Sequence, residues 1–259
     1  MKLNDAAKNG DVKTLAQLLE KGGNPNKADK DGDTPVIYAA FEGQLECLRL
    51  LLEKGGDPNK GGEDDATPVY LAAQEGKLEC LRLLLEKGGD PNKGDKGGAT
   101  PVFLAVQEGK LECLRLLLSK GGDPNKAANN GATPVHSAAQ EDKPECLRLL
   151  LEKGGDTETS LGSEGVTAIH LACYNGFSNI VRILIQFGAD VNMPDNNGTT
   201  PILYAKAEDR TQIVYLLTQN GARNVEGDSG IFDDIKNKAG KALGKVVVET
   251  AVAACCVIS

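Results

Sequence analysis

The chain has 259 residues, of which 40% are apolar and 25% are charged. This composition supplies enough apolar material for a core and excludes wholesale disorder, and the length suits one large domain or two small ones. The 29 basic and 37 acidic side chains give a formal net charge of −8, which argues against binding of nucleic acid through its phosphates. The 31 glycines are an excess that requires a structural reason.

A repeated unit of about 33 residues explains the glycines. Residues 45–60 and 78–93 are identical, and residues 111–126 differ from them only at Ser119. Six threonines recur at steps of 33, 33, 33, 34 and 33 residues: Thr34, Thr67, Thr100, Thr133, Thr167 and Thr200. Such self-similarity predicts a row of supersecondary units, each of which stacks on its neighbours.

Each unit predicts two helices and a loop. A Thr-Pro pair such as Thr34-Pro35 supplies an N-cap and a proline at the first helical position. A glycine nine residues after the threonine, as at Gly43, ends this first helix. Leucines at helical spacing then form a second helix, which a pair of glycines closes. The glycines are therefore mostly helix stops.

These residues resemble the ankyrin repeat. The resemblance rests on the Thr-Pro-apolar-x-x-Ala start, on Thr133-Pro134-Val135-His136 and on Thr167-Ala168-Ile169-His170-Leu171-Ala172. It implies an all-α ankyrin-repeat solenoid of 33-residue helix-turn-helix-loop units with a C-terminal amphipathic helical tail. We divide the chain into an N-terminal capping half-repeat (1–26), six repeats (27–225), a linker (226–230) and the tail (231–259).

The sequence departs from the family pattern at three kinds of position. Four units replace the usual histidine, by Ile37, Tyr70, Phe103 and Leu203. Three units carry aspartate where glycine is usual, at Asp65, Asp142 and Asp209. The 34-residue step inserts one loop residue around Leu161-Gly162-Ser163, and we expect it to disturb the stacking of the fourth and fifth units.

No apparatus for catalysis is visible. Four cysteines recur every 33 residues, at Cys47, Cys80, Cys113 and Cys146. They occupy an apolar face of the second helix and are predicted, with Cys173, to be buried structural thiols. His136 and His170 lie at helix starts, where the resemblance implies that they tie loop to helix. We therefore expect no enzyme activity, no metal and no cofactor.

The resemblance implies a partner-binding groove formed by the ends of the first helices and the loop tips. The candidate residues are Asp31, Asp33, Phe41, Glu42, Asp64, Gln74, Glu75, Gln107, Glu108, Gln140, Glu141, Tyr174 and Glu208. The recurring glutamates form an acidic stripe, which predicts a partner protein that presents lysine or arginine. The alternative, that these glutamates serve only solubility, stays open.

The tail carries two signals. Apolar side chains fall on one helical face and lysines on the other in residues 231–246. The chain ends Cys255-Cys256-Val257-Ile258-Ser259, and the last four residues match the prenylation signal in which a final serine favours farnesyl. Cys256 is the predicted farnesyl site, followed by trimming and methylation. Because one lipid binds membranes weakly, Cys255 is a candidate palmitoyl site. The alternative is a hydrophobic end that docks on the last repeat.

These features favour a monomeric, non-catalytic adaptor held at the cytoplasmic face of a membrane. Neither a secretory signal nor a membrane-spanning stretch is indicated by the sequence. One alternative is a soluble cytosolic inhibitor or regulator of an enzyme or transcription factor. Another is a bacterial effector that acts in a eukaryotic host, because prenylation is a eukaryotic modification.

Overall fold

The computed structural model describes residues 2–62 and 64–223. The chain divides into two compact units, Met1–Ala128 and Asn129–Ser259. The described part of the first unit contains α1 Leu3–Lys8, α2 Val12–Glu20, α3 Pro35–Glu42, α4 Leu45–Glu53, α5 Pro68–Gln74, α6 Leu78–Glu86, α7 Pro101–Gln107 and α8 Leu111–Ser119. That of the second contains α9 Pro134–Gln140, α10 Pro144–Glu152, α11 Ala168–Asn175, α12 Ser178–Gln186, α13 Pro201–Ala207 and α14 Thr211–Gln219.

The fold is all-helical over the described residues, apart from an isolated β-bridge between Leu161 and Val166. Within each of the two compact units, the first helix of a repeat packs against the second helix of the same repeat and against the first helix of the neighbouring repeat. The second helices of neighbouring pairs also contact one another. The helix pairs of each unit therefore stack as ankyrin-type repeats do.

Threonine caps begin the first helices as the sequence predicts. The hydroxyl oxygen of Thr67 accepts a hydrogen bond from the N–H of Tyr70 at 3.1 Å, and that of Thr100 from Phe103 at 3.2 Å. Thr34 and Thr133 do the same. Thr200 also precedes a helix, but its buried hydroxyl has no hydrogen-bond partner, so this cap lacks its bond.

Left-handed residues end the first helices. Gly43 and Gly176 are the C-caps of α3 and α11, with φ of 80° and 86°. Asp142 and Asp209, in the glycine position of two other pairs, adopt the same region with φ of 49° and 54°. Aspartate is one of the few residues with a side chain that tolerate this conformation. The departures from glycine therefore preserve the turn.

The recurring cysteines are buried, which confirms the prediction that they are structural. Cys80 and Cys113 are each 2% exposed, and Cys173 is fully buried. Burial raises the pKa of the Cys80 and Cys113 thiols to about 11. These thiols are therefore protonated at neutral pH and act as small apolar groups of the core.

Asparagine side chains join the loops of neighbouring helix pairs. Asn59 donates from Nδ2 to the carbonyl of Gly88 at 2.9 Å and accepts from the N–H of Asp90 at 2.7 Å. Lys93 adds a 2.7 Å hydrogen bond from Nζ to the carbonyl of Asn59. The same asparagine bonds recur at Asn26 in the first unit and at Asn192 in the second. Within each compact unit, these bonds hold the register of the helix pairs that they join.

Candidate partner-binding surface

In the first unit, three glutamates occupy successive ends of first helices. Glu42 is the last residue of α3, and Glu75 and Glu108 are the C-caps of α5 and α7. Glu42 and Glu75 are half-exposed, and Glu108 is exposed. Because α3, α5 and α7 pack side by side, these glutamates follow one another at the roughly 8–10 Å spacing of packed helices. We call these three residues the glutamate row.

The candidate residues beside the glutamate row lie on the same helix ends. Phe41, Gln74 and Gln107 each precede a member of the row and are half-exposed. Gln74 has a buried Oε1 atom without a hydrogen-bond partner. An apolar ring and two amides therefore accompany the carboxylates along this edge.

Two lysines that sequence reasoning did not include lie over glycines that follow row glutamates. The aliphatic stem of Lys77 passes over Gly43, where an added Cβ would lie 2.9 Å from Lys77 Cδ. Lys110 passes over Gly76 at the same distance. Each lysine stem therefore crosses from one helix pair to the glycine that follows a row glutamate.

The acidic loop tips of the first unit are exposed or half-exposed, and two of them face lysines. Asp31 lies 3.8 Å from Lys30, and Asp64 lies 3.9 Å from Lys96. Asp33 is half-exposed and its N–H donates to Asp29 Oδ1 at 3.0 Å. Exposed ion pairs of this kind contribute little to stability. They do, however, reduce the negative charge that the loop tips offer to a partner.

The candidates in the second unit occupy the same kind of position. Glu141 is the C-cap of α9, and its Oε1 accepts from Nε2 of Gln140 at 3.1 Å. Tyr174 is half-exposed near the end of α11, where its carbonyl accepts from Nε of Arg210 at 3.3 Å. Glu208 is the half-exposed C-cap of α13. Each of them lies where a first helix ends.

An aromatic site that the sequence did not single out lies at the start of the first unit. Nζ of Lys8 lies 5.7 Å from the ring centre of Tyr38, within cation–π range. The Tyr38 hydroxyl donates to Asp29 at 2.9 Å, and Asn4 donates to the same carboxylate at 3.0 Å. Burial opposes ionisation of Asp29, but these hydrogen bonds outweigh it and lower its pKa. The sequence feature that could have revealed this site is Tyr38, which stands where the next two repeats carry leucine.

Both histidines are buried at helix starts, and His170 makes the tie from helix to loop that the resemblance implies. Nδ1 of His170 accepts from the N–H of Thr167 at 3.2 Å, so Nε2 carries the proton. Nε2 donates to the carbonyl of Thr199 at 3.2 Å and thereby ties the helix to the following loop. His136 makes the equivalent Nδ1 bond with Thr133, but its buried Nε2 has no partner.

The loops that follow the two histidines differ in length. The loop after His136 is one residue longer than the loop after His170. Burial lowers the pKa of both histidines to about 4. They are therefore neutral at pH 7 and unsuited to acid–base exchange with a substrate.

Other candidate sites fall outside this surface. Over residues 2–62 and 64–223, no group of three His, Cys, Asp or Glu side chains is placed to hold a metal ion. No helix in the same residues is long and apolar enough to cross a bilayer. The predicted linker (226–230), the amphipathic tail (231–259) and both lipidation cysteines, Cys255 and Cys256, lie outside the described residues.

Comparison with solved structures identifies the fold. The human ASB11 ankyrin repeat domain matches with a TM-score of 0.75 and 23% identity, covering 87% of this chain and all of that one. The ankyrin repeat domain of Bcl-3, an IkappaB family member, matches with a TM-score of 0.74 and 24% identity, covering 83% of this chain and 98% of that one. At these identities the likeness concerns the fold alone.

Sequence relatives match short stretches of much longer proteins. ADP-ribosylation factor GTPase-activating protein AGD4 of Arabidopsis thaliana is 35% identical over 69 residues, which is 26% of this chain and 9% of that protein. Human BCL-6 corepressor-like protein 1 is 40% identical over 58 residues, and mouse RelA-associated inhibitor 44% over 59. These matches cover 22% and 23% of this chain, and 3% and 7% of the relatives.

The family assignment follows from the repeats themselves. The family model described as ankyrin repeats (3 copies) matches residues 3–95, 87–161 and 154–228, which is nearly the whole of the helical array. Such repeats indicate a scaffold for protein–protein interaction, and their fold is generally non-catalytic. The chain belongs to the ankyrin-repeat family.

Proposed function

We propose that this protein is a non-catalytic adaptor that binds a partner protein through the ends of its first helices. The observation that carries the proposal is the glutamate row, in which Glu42, Glu75 and Glu108 lie side by side and reach solvent. A partner that presents lysine or arginine at a matching spacing would complement the row. The stems of Lys77 and Lys110 pass over Gly43 and Gly76, next to Glu42 and Glu75 in sequence.

The electrostatic part of the proposal predicts a salt-dependent association. Exposed carboxylates steer a basic partner and raise its association rate, and salt screens them over about 8–10 Å. The test is affinity capture from a cell lysate at low and high salt with the full chain as bait. The test variant carries Glu42→Gln, Glu75→Gln and Glu108→Gln.

A matched control separates the glutamate row from net charge. Glu46→Gln, Glu79→Gln and Glu112→Gln make the same charge change on the second helices, where these residues are exposed beside arginines at 3.6–3.8 Å. We expect proteins that wild type and control retain to be lost from the row variant, most clearly at low salt. Equal retention by both triple variants would contradict a role for the row.

We further propose that lipidation of Cys256 as a farnesyl cysteine, supported by a palmitoyl group on Cys255, holds the adaptor at the cytoplasmic face of a membrane. The support is the sequence Cys256-Val257-Ile258-Ser259 and the adjacent Cys255, which offers a second lipid site. This requires that Ser259 is the last residue made in the cell. Mass spectrometry of the C-terminal peptide tests that requirement and the lipid together.

Fractionation then separates the membrane-bound adaptor from its alternative. We expect the wild type to sediment with membranes, Cys256→Ser to be released, and Cys255→Ser to be released in part. A Cys256→Ser protein that partitions as the wild type does would reject the lipid anchor. The alternative is then a soluble regulator, which the match to mouse RelA-associated inhibitor favours. Finding which organism makes the protein, a eukaryotic cell or a bacterium that enters it, would separate a resident protein from an effector.

A further inference from the structure

The last described helix exposes apolar side chains that its predecessor buries. Val214 and Leu216 of α14 are half-exposed. The equivalent residues of α12, Val181 and Ile183, are buried at 0% and 5% exposure. In α12 these positions lie within a stack that continues to α14. In α14 the described residues leave both side chains partly exposed.

Tyr215, which lies between Val214 and Leu216, is also unusually exposed. Tyr215 is 67% exposed, the largest exposure among the bulky apolar side chains of the described structure. Five other second helices carry arginine at this position: Arg49, Arg82, Arg115, Arg148 and Arg182. An aromatic ring thus replaces a charged outer-face residue only where the stack ends. We call Val214, Tyr215 and Leu216 the α14 patch.

A segment that follows α14 in the chain has apolar side chains that suit the α14 patch. Apolar residues recur at helical steps of three or four in residues 231–246: Phe232, Ile235, Ala239, Ala242, Leu243 and Val246. This periodicity is that of a segment with one apolar side, which requires a surface to cover it. The terminal unit of a repeat array likewise requires a cap, because no further unit covers its outer side.

The connection is long enough to bring the two surfaces together. The N–H of Arg223 donates to Oδ1 of Asn192 at 2.8 Å, which fixes the point where the chain leaves the last helix pair. Residues 224–230 can span about 23–25 Å when extended. The nine residues of α14 measure about 14 Å. Residues 231–246 can therefore turn back and lie along α14.

We propose that residues 231–246 dock on the α14 patch of the same molecule and cap the last helix pair. Phe232, Ile235 and Leu243 cover the exposed ring of Tyr215 and the side of α14 next to it. Docking withdraws the apolar side of this segment from any other surface, a membrane included. The inference does not rest on lipidation or on the glutamate row, and it is tested on the unlipidated full chain.

Hydrogen exchange of the full chain, read by mass spectrometry, tests the docking. Peptides within 231–246 should exchange more slowly in the wild type than in a synthetic peptide of the same sequence. Tyr215→Arg installs the residue of the other repeats. It should speed the exchange of peptides within 231–246 about tenfold, because losing the burial of one large apolar side chain weakens the docking equilibrium by about that factor. Phe187→Lys is the matched control. It replaces a 37% exposed ring by the lysine found at the same position in earlier pairs, and it should leave exchange in 231–246 unchanged.

The remaining outcomes also decide the proposal. Leu243→Asp should release the segment as Tyr215→Arg does, while α14 peptides stay protected in both variants. Wild-type exchange at the rate of the free peptide would overturn the docking, and protection that Tyr215→Arg leaves intact would overturn this site. Protection that grows with protein concentration would assign the segment to a second copy. Protection that appears only on adding anionic lipid vesicles would assign it to the membrane.

Discussion

The hydroxyl of Tyr70 donates a 3.0 Å hydrogen bond to the carboxylate of Asp95, in the loop that leads to the next helix pair. Asp95 also accepts from the N–H of Ala99 at 2.9 Å and so organises that loop. Burial raises the pKa of Asp95, and these two hydrogen bonds offset part of the rise. Tyr70 stands in the position of His170 and makes the same kind of link from a first helix to the following loop.

Replacing Tyr70 by phenylalanine should weaken this link. Tyr70→Phe leaves the ring in the core and removes only the hydroxyl, so one oxygen of the half-buried Asp95 loses its donor. We expect the free energy of unfolding to fall by about 1–2 kcal/mol, measured by urea denaturation followed by circular dichroism. Tyr215→Phe, at an exposed ring, is the control and should change it little. Equal effects of the two substitutions would contradict the link.

The two histidines should respond differently to the same substitution. His170→Phe removes the 3.2 Å bond from Nε2 to the carbonyl of Thr199, whereas His136→Phe removes a buried donor that has no partner. Phe103 shows that a phenylalanine fits this position, where it is 1% exposed. We expect His170→Phe to reduce the free energy of unfolding by about 1–2 kcal/mol more than His136→Phe. A larger loss of unfolding free energy for His136→Phe would contradict the assignment of its Nε2 as a buried donor without a partner.

The helix starts and the buried cysteines could be predicted because each depends on chemistry within one repeat, whereas the tie made by His170 was implied only by the family resemblance. A threonine before a proline caps its own helix, and Cys80 falls on an apolar face whatever lies beyond it. The lysine stems over Gly43 and Gly76 and the pairing of Tyr70 with Asp95 could not be predicted in this way. They join residues of different helix pairs, and 25 residues separate Tyr70 from Asp95. Only the stacking geometry decides which side chains meet there.

Stability should decline as the pH falls from about 6.5 towards 4. Burial lowers the pKa values of both histidines from 6.5 to about 4. Between these pH values the two imidazoles therefore bind protons in the unfolded chain and stay neutral in the folded chain. The folded state therefore loses up to roughly 3 kcal/mol for each histidine on acidification through this window. The double variant His136→Phe and His170→Phe should show a shallower decline, and Tyr215→Phe, at an exposed ring, should keep the wild-type slope. Urea denaturation at several pH values measures both.

Glycine at position 142 should stabilise the protein. Asp142 follows Glu141, the C-cap of α9, with φ of 49°, a region that side chains with a Cβ atom adopt at a cost and that glycine adopts freely. Asp142→Gly should therefore raise the free energy of unfolding by about 0.5–1 kcal/mol, after the entropy that glycine adds to the unfolded chain is subtracted. Asp142→Ala should lower it by about 1 kcal/mol, because alanine keeps the Cβ and has no polar group to bond locally. The opposite signs of these two variants in urea denaturation distinguish relief of backbone strain from loss of the carboxylate, since both variants remove the charge.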